Sequence, residues 1–369
     1  MAIGPGIAHR ADTHPGEHLR VDKYVPLYLP RPYSPENFDH LMKPLPPMVN
    51  RRVLLAIPLA LMLLSDAVAQ RPAHYAHANA DLANAMDLFS KAKYGAAQYE
   101  LGQVVARIGD KHDATRVEAE FYSALCAVRL FNDDAGHRLT TFMAEHPEDL
   151  HVGAVRFELF KHTFAEKKWK QALAWSDQVD RFALEPEELE EYRFKRGYAY
   201  FQEGDKDKAL GEFAEVQNGT GLYAIPSRYY AAHIQYERGN YETALTGFRS
   251  LESDENFRKV VPFYIAEILF LQGEYDELNT YVKPLLEDPE GTKRINEINR
   301  LAGEANYRRG NYAEALPYLQ KSAQRASVER GDRYILGYAY YRTGDCQKAL
   351  AEFNLVANGT DSIAQLATY

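Results

Sequence analysis

The sequence has little of what a catalytic, disulfide-bonded or nucleic-acid-binding protein needs. Its 369 residues include two cysteines, Cys126 and Cys346, too few and too far apart for a disulfide framework or a thiolate metal site. Runs of lysine and arginine are lacking and the net charge is −9, so the basic surface that binds phosphate backbones is not expected. Glycine-rich phosphate-binding loops and the HExxH and GxSxG motifs are absent as well. We therefore predict no catalytic residue, no metal, no cofactor and no nucleic-acid partner.

The N-terminal part carries a pattern that is typical of exported proteins. Two arginines, Arg51 and Arg52, precede a 12-residue apolar stretch over 53–64, and small residues follow up to Ala69. This three-part arrangement is that of a secretory signal peptide, and the apolar stretch is too short to cross a bilayer comfortably. We predict a signal peptide over 48–69 that is cleaved after Ala69, no transmembrane segment in the mature chain, and a periplasmic location.

Residues 1–47 precede the methionine at which such a signal peptide should begin. They are rich in proline and histidine and show neither helical nor strand periodicity, so we predict no structure for them. Two interpretations stay open. Either Met48 is the true start and 1–47 is an upstream region included by an overlong gene prediction, or 1–47 is a cytoplasmic extension ahead of an uncleaved anchor.

A stretch of 24 residues occurs twice in nearly the same form. Residues 197–220 read GYAYFQEGDKDKALGEFAEVQNGT and residues 337–360 read GYAYYRTGDCQKALAEFNLVANGT, with 15 of the 24 positions identical. A repeat of this length indicates a repeated structural unit. After residue 70 the chain alternates helix-forming stretches with short turns, so we predict an all-α fold.

The turns give the length of the unit. Glycine marks them at Gly204, Gly239, Gly273, Gly310 and Gly344, with spacings of 35, 34, 37 and 34 residues. Extending this period towards the N-terminus places turns without glycine at Ala92, Asn132 and Lys167, which gives eight antiparallel helix pairs within 70–369. A ninth first helix begins at the C-terminal end without a partner, so we expect the chain to be a fragment of a longer array.

Small residues recur at two places in each unit. Five residues after the turn, six of the eight residues are alanine, and His137 and Leu278 are the exceptions. Seven residues before the turn, six of the eight are glycine or alanine, and Leu125 and Phe160 are the exceptions. A small side chain is needed where two helices cross closely, so these positions predict the contact between the helices of each pair.

The combined pattern resembles the tetratricopeptide repeat, a helix-turn-helix unit of 34 residues. It reads Gly197-x-x-Tyr200-x-x-x-Gly204-Asp205-x-x-x-Ala209-x-x-x-Phe213, and it recurs from Gly337 to Phe353. The resemblance covers about 80–357, although the tryptophan and the closing proline of the family are mostly lacking. It implies a right-handed superhelical solenoid in which the first helices of the pairs line a concave groove.

Aromatic residues are concentrated at the positions that would face this groove. Ten and three residues before the turn, thirteen of the sixteen residues are aromatic, and Tyr198 and Tyr338 add to them. We predict a partner-binding surface formed by Phe194, Tyr198, Phe201, Tyr229, Tyr236, Phe263, Phe270, Tyr307, Tyr334, Tyr338 and Tyr341. The alternative interpretation is that these rings only pack neighbouring helices against each other.

The resemblance and the export pattern together predict a function. We expect a non-catalytic interaction scaffold of the bacterial cell envelope that binds a protein or peptide ligand in the groove, as part of an envelope complex. One alternative is a module that binds glycans or peptidoglycan fragments. Another is the repeat arm of a larger enzyme or assembly that continues past residue 369.

Overall fold

The computed structural model describes residues 73–288, 291–324 and 328–368. The extension over 1–47, the signal peptide over 48–69 and its cleavage site after Ala69 lie outside the described residues, and they stay predictions. The described part contains helices and turns and no strand, which confirms the predicted all-α fold.

Seventeen helices are formed in the described residues. They are α1 (Ala73–Ser90), α2 (Tyr94–Arg107), α3 (Ala114–Arg129), α4 (Ala135–Glu145), α5 (Val152–Ala165), α6 (Trp169–Ser176), α7 (Pro186–Gln202), α8 (Lys206–Ala214), α9 (Ala224–Glu237), α10 (Tyr241–Arg249), α11 (Val261–Gln272), α12 (Tyr275–Glu287), α13 (Ile295–Arg308), α14 (Tyr312–Ser322), α15 (Arg330–Arg342), α16 (Cys346–Val356) and α17 (Ser362–Thr368). None of the described helices is long and apolar enough to span a membrane.

The helices pack as eight consecutive pairs, from α1 with α2 to α15 with α16, and α17 takes the place of a ninth first helix. Each second helix also contacts the first helix of the following pair. Odd-numbered helices touch one another across pairs, as α5 touches α7 and α13 touches α15. A row of helices that contact one another lies on the tighter side of a solenoid, so the odd-numbered helices form its inner side. The predicted solenoid of helix pairs is confirmed.

The turn between the two helices of each pair contains one residue in the left-handed conformation. The N–H of that residue bonds to the carbonyl three positions back, and the next N–H bonds to the carbonyl five positions back, which is a Schellman motif. At Gly204 φ is +85°, a value that costs glycine little because it has no Cβ. The carboxylate of Asp205 then accepts a hydrogen bond from the N–H of Lys208 at 3.1 Å and caps the next helix. The repeated Gly-Asp pair thus ends one helix and begins the next.

The second pair differs from the sequence prediction by one residue at its turn. Phe131, not Asn132, is left-handed there, with φ of +56°. A tight turn follows, in which the N–H of Ala135 bonds to the carbonyl of Asn132, so α4 starts late. The buried small residue of α4 is consequently Ala135, whereas the predicted His137 is exposed. Counting a fixed five residues from the turn failed here because the turn itself has a different length.

The small residues of the repeated stretch stand where an aromatic ring crosses the pair. A Cβ added to Gly197 would lie 2.9 Å from the ring of Phe213, and one added to Gly337 would lie 2.8 Å from the ring of Phe353. In the third pair Phe160 replaces the small residue, and Ser176 replaces the ring at the place of Phe213. Both residues are buried, so the large and small side chains have changed helices within this pair.

Candidate functional site: the inner face

The inner face is defined here as the surface where side chains of successive odd-numbered helices meet. On α3, α5 and α7 these side chains include five charged residues. The guanidinium of Arg129 donates to both carboxylate oxygens of Glu158 at 3.2 and 3.0 Å, and Lys161 Nζ donates to the same carboxylate at 2.8 Å. Lys195 pairs with Glu191 one helix further along. We call these five residues the ionic chain.

The ionic chain is self-compensated. Burial would raise the pKa of Glu158, but Lys161 and Arg129 outweigh it and hold that pKa far below its usual value. Burial acts on Glu191 in the same direction and is likewise outweighed, here by Lys195 and Lys161, so the pKa of Glu191 is also lowered. Both carboxylates of the ionic chain therefore have a cation in contact, and the network connects α3, α5 and α7.

The predicted aromatic surface divides by burial into three groups. Six of its rings are packed inside the solenoid, namely Phe194, Tyr198, Tyr229, Tyr236, Phe263 and Tyr307. Four are half-buried, namely Phe201, Phe270, Tyr334 and Tyr338. Tyr341 is 58% exposed. The part of the surface that a partner can touch therefore narrows to the last two groups, and the binding role of these residues stays a prediction.

The rings meet in two groups. Around α7, Tyr198 packs edge-on against Phe164 and Tyr230, at centroid distances of 5.7 and 5.1 Å. Around α15, Tyr338 lies 5.7 Å from Tyr307 and 6.2 Å from Tyr341. On α13 the position ten residues before the turn is Arg300, which pairs with Glu304, so this row of aromatic residues is interrupted there.

Arginine–tyrosine pairs mark the edge of the inner face near the turns, and the sequence analysis missed them. The guanidinium of Arg308 lies 4.8 Å from the ring centre of Phe270 and donates to Tyr275 Oη at 3.3 Å. That of Arg342 lies 4.5 Å from the ring centre of Tyr312 and donates to its hydroxyl at 3.2 Å. A signal was present, because a tyrosine two residues after one turn is followed by an arginine two residues before the next.

A tyrosine-lined carboxylate occupies the inner face between α9 and α11. Tyr236 Oη donates to Glu267 Oε2 at 2.7 Å, and the Tyr236 ring lies 6.2 Å from that of Tyr241 and 5.5 Å from that of Tyr264. Burial raises the pKa of Glu267, and the hydrogen bond from Tyr236 offsets this only in part. These four residues are called the Glu267 cluster. The search for motifs could not find it, because its members come from three helices.

Three possible metal ligands meet at the far side of α3. The ligand atoms of Glu120, Glu145 and His146 all lie within 4.8 Å of one another. However, Glu120 already accepts from Arg116 at 2.8 Å and lies 2.8 Å from His146 Nε2, and Glu145 accepts from Lys111 at 3.2 Å. Both carboxylates are thus already paired with basic side chains of the protein, and the cluster forms an ionic network.

Comparisons with known proteins find solved structures of low similarity. No protein-family model matches the chain, and no curated protein matches it. A tetratricopeptide repeat protein from Parabacteroides merdae is 14% identical, with 71% of this chain and 98% of that one covered and a TM-score of 0.42. The apo form of RapI is 15% identical, with 76% and 86% covered and a TM-score of 0.44. The apo form of the quorum sensor NprR from B. thuringiensis is 13% identical, with 76% and 86% covered and a TM-score of 0.43.

The class of the protein follows from its own helix pairs. Eight pairs closed by Schellman turns, with a period near 34 residues and small residues at the crossings, define a tetratricopeptide-like repeat solenoid. Solved structures of this low similarity say nothing of which partner the inner face receives.

Proposed function

We propose that this solenoid is a non-catalytic scaffold that holds an extended segment of a partner protein along its inner face. The observation that carries the proposal is the uneven burial of the inner-face rings. Interior rings build the repeats, while Phe201, Phe270, Tyr334, Tyr338 and Tyr341 keep surface that contributes nothing further to the core. Partly exposed tyrosines supply large contact area at low entropic cost, which is typical of protein-binding surfaces.

The location of the scaffold is a finer part of the same proposal. The export pattern at 48–69 supports an envelope protein of the periplasm, processed after Ala69, that works in an envelope complex. Mass spectrometry of the native N-terminus tests this, because processed protein starts at Gln70. Recovery of peptides from 1–47 or from the apolar stretch in the mature protein would contradict it.

Site-specific photo-crosslinking tests where the partner binds. A benzophenone amino acid is placed at Tyr341 on the inner side of α15, and at Tyr99 on the outer helix α2 as a control of similar exposure, 58% against 67%. We expect crosslinked protein adducts in envelope extracts from position 341 and not from position 99. Equal adducts from both sites would contradict the proposal. Retention of muropeptides without any protein adduct would favour the glycan-binding alternative instead.

A further inference from the structure

Glu267 differs from the other carboxylates of the inner face in one respect, which is the lack of a cation in contact. In the described part of the chain, Glu158, Glu191, Glu237 and Glu304 each have a lysine or arginine nitrogen within 4 Å. Glu267 has none, and its hydrogen bond comes from the neutral hydroxyl of Tyr236. Placing an ionised carboxylate in a largely buried site without a cation in contact is unfavourable, so the negative charge of Glu267 would be stabilised by a cation from outside the chain.

The two arginines whose charge acts on Glu267 are engaged elsewhere. Arg294 stacks on the ring of Phe263 at 3.5 Å and pairs with Glu297 at 3.3 Å. Arg300 pairs with Glu304 at 3.1 Å. Both arginines lower the pKa of Glu267 from a distance, yet neither comes within ion-pairing range. The chain therefore has nearby positive charge that it does not direct to this carboxylate.

The surroundings of Glu267 are those that favour a positive group. The rings of Tyr236, Tyr241 and Tyr264 are near enough for the Glu267 charge to raise the pKa of each hydroxyl, after the larger effect of burial. A ring face attracts a cation through its quadrupole, and the attraction grows when the cation is desolvated. Tyr241, Tyr264 and Glu267 are only half-buried, so the cluster keeps some exposed surface.

A buried histidine adjoins the same rings. His233, 3% exposed, lies 5.5 Å from the Tyr264 ring and 6.3 Å from the Tyr236 ring. Its Nδ1 faces a carboxylate oxygen of Glu237 at 3.5 Å.

We propose that the Glu267 cluster receives the cationic end of a lysine or arginine side chain carried by the partner. The carboxylate supplies the counter-charge, the half-buried rings of Tyr241 and Tyr264 flank the alkyl stem and the charged head, and the buried Tyr236 holds the carboxylate through its hydroxyl. This rests on the proposed function for the source of the side chain, but the chemistry that it requires is only an alkylammonium or guanidinium group. The net charge of −9 favours the approach of such a ligand from a distance.

Two matched variants isolate the charge of Glu267. Glu267→Gln keeps the size of the side chain and an oxygen for Tyr236 to donate to. Glu314→Gln, on the exposed side of the outer helix α14, changes the net charge by the same amount. Circular dichroism and thermal unfolding establish that both variants are folded before any ligand is added.

The first experiment uses a small probe and does not require the partner. Full-length protein with 13C-labelled tyrosine is titrated with n-pentylammonium chloride, and with 1-pentanol as a neutral probe of the same length. We expect saturable shifts of the Tyr236, Tyr241 and Tyr264 resonances with the ammonium alone, lost in Glu267→Gln and retained in Glu314→Gln. No saturable shift in the wild type, or equal shifts with pentanol, would overturn the proposal.

The second experiment asks whether the cation belongs to a protein partner. An array of random 12-residue peptides selects binders, and each lysine or arginine of a binder is replaced in turn by norleucine. We expect one replacement to weaken wild-type binding by about tenfold or more, and to cost nothing further in Glu267→Gln. If norleucine peptides bind the wild type equally well, the proposal is wrong and the scaffold function stands. If no peptide binds but pentylammonium does, the cation site stands and the peptide-binding function fails.

Discussion

Two stretches of the inner face treat their carboxylates in opposite ways. Along α3, α5 and α7, Glu158 and Glu191 are surrounded by Arg129, Lys161 and Lys195, so three cations serve two anions. Between α9 and α11, Glu267 is surrounded by tyrosines and has no cation in contact within the described residues. The first stretch is closed on itself and holds helices together. The second keeps an unmet charge, which is the condition that favours a ligand.

The largest expected effect tests whether the first stretch is structural. Tyr198 on α7 is 3% exposed and packs against rings from α5, α6 and α9. We expect Tyr198→Ala to lower the free energy of unfolding by about 3 to 5 kcal/mol, because the cavity would be lined by rings that cannot collapse. Urea unfolding followed by circular dichroism measures it. Tyr341→Ala is the control, and we expect it to change the free energy of unfolding by less than about 0.5 kcal/mol. A near-zero loss at Tyr198 would mean that the ring belongs to the binding surface.

The next effect concerns the ionic chain itself. We expect Glu158→Gln to lower the free energy of unfolding by about 3 kcal/mol, because it leaves Arg129 and Lys161 largely buried beside a neutral group. The matched control is Asp87→Asn, which removes an exposed pair with Lys91 and is expected to change stability by less than about 0.5 kcal/mol. If the two substitutions change the free energy of unfolding equally in urea, the ionic chain does not act as a buried network, and the contrast with Glu267 disappears.

The pH dependence should separate the two stretches by sign. The pKa of Glu158 is lowered in the folded state, so its contribution is present above the ordinary value of 4.5 and is lost as pH falls towards the folded pKa. The pKa of Glu267 is raised, so its stabilising effect is greatest below 4.5 and is lost as pH rises through the folded pKa.

Difference curves against pH measure this contrast. Relative to the wild type, Glu158→Gln should become less stable as pH rises to neutrality. Glu267→Gln should match the wild type at low pH and be more stable than the wild type at neutral pH. Curves of the same sign for the two variants would show that Glu267 has a partner of its own, and the cation proposal would lose its basis.

The smallest expected effect extends the comparison to the turns beside the two stretches. The turn between α3 and α4, just after Arg129, has Phe131 in the left-handed conformation with φ of +56°. The turn between α9 and α10, just after Tyr236, has Gly239 there with φ of +76°. We expect Phe131→Gly to raise the free energy of unfolding by about 1 kcal/mol and Gly239→Ala to lower it by about 1 kcal/mol, since only glycine adopts this conformation without a Cβ penalty. The Phe131 ring is 81% exposed, so little packing is lost with it. A loss of stability in Phe131→Gly would contradict this account.

Local signals explain how much of the fold was predictable. The left-handed turns were found at seven of eight places because glycine, or the period itself, marked them, and Phe131 was misplaced because neither glycine nor a constant turn length pointed to it. The close helix crossings followed from glycine and alanine for the same local reason. At Phe160 the rule failed, because the partner helix carries the small residue instead.

The candidate site was less predictable because it depends on neighbours that are distant in sequence. Tyr198 and Tyr341 both fit the groove-facing pattern, yet one is buried and the other is exposed. Whether Glu267 has a cation depends on Arg294 and Arg300, which the chain places beside other carboxylates. The spacing of residues within one helix predicts neither the burial of these tyrosines nor the pairing of this carboxylate.

The sequence by itself determined the repeat, its period and the helix ends, since these depend on backbone conformations and side-chain sizes within about 34 residues of one another. Only the tertiary structure decided which rings are interior and which carboxylates are neutralised. Both properties arise where successive repeats meet, and there the burial and charge of a side chain are set by what the neighbouring repeat offers it. Glu158 and Glu267 both lie on odd-numbered helices, and the neighbouring helices made one a structural ion pair and the other a proposed receptor for a cation.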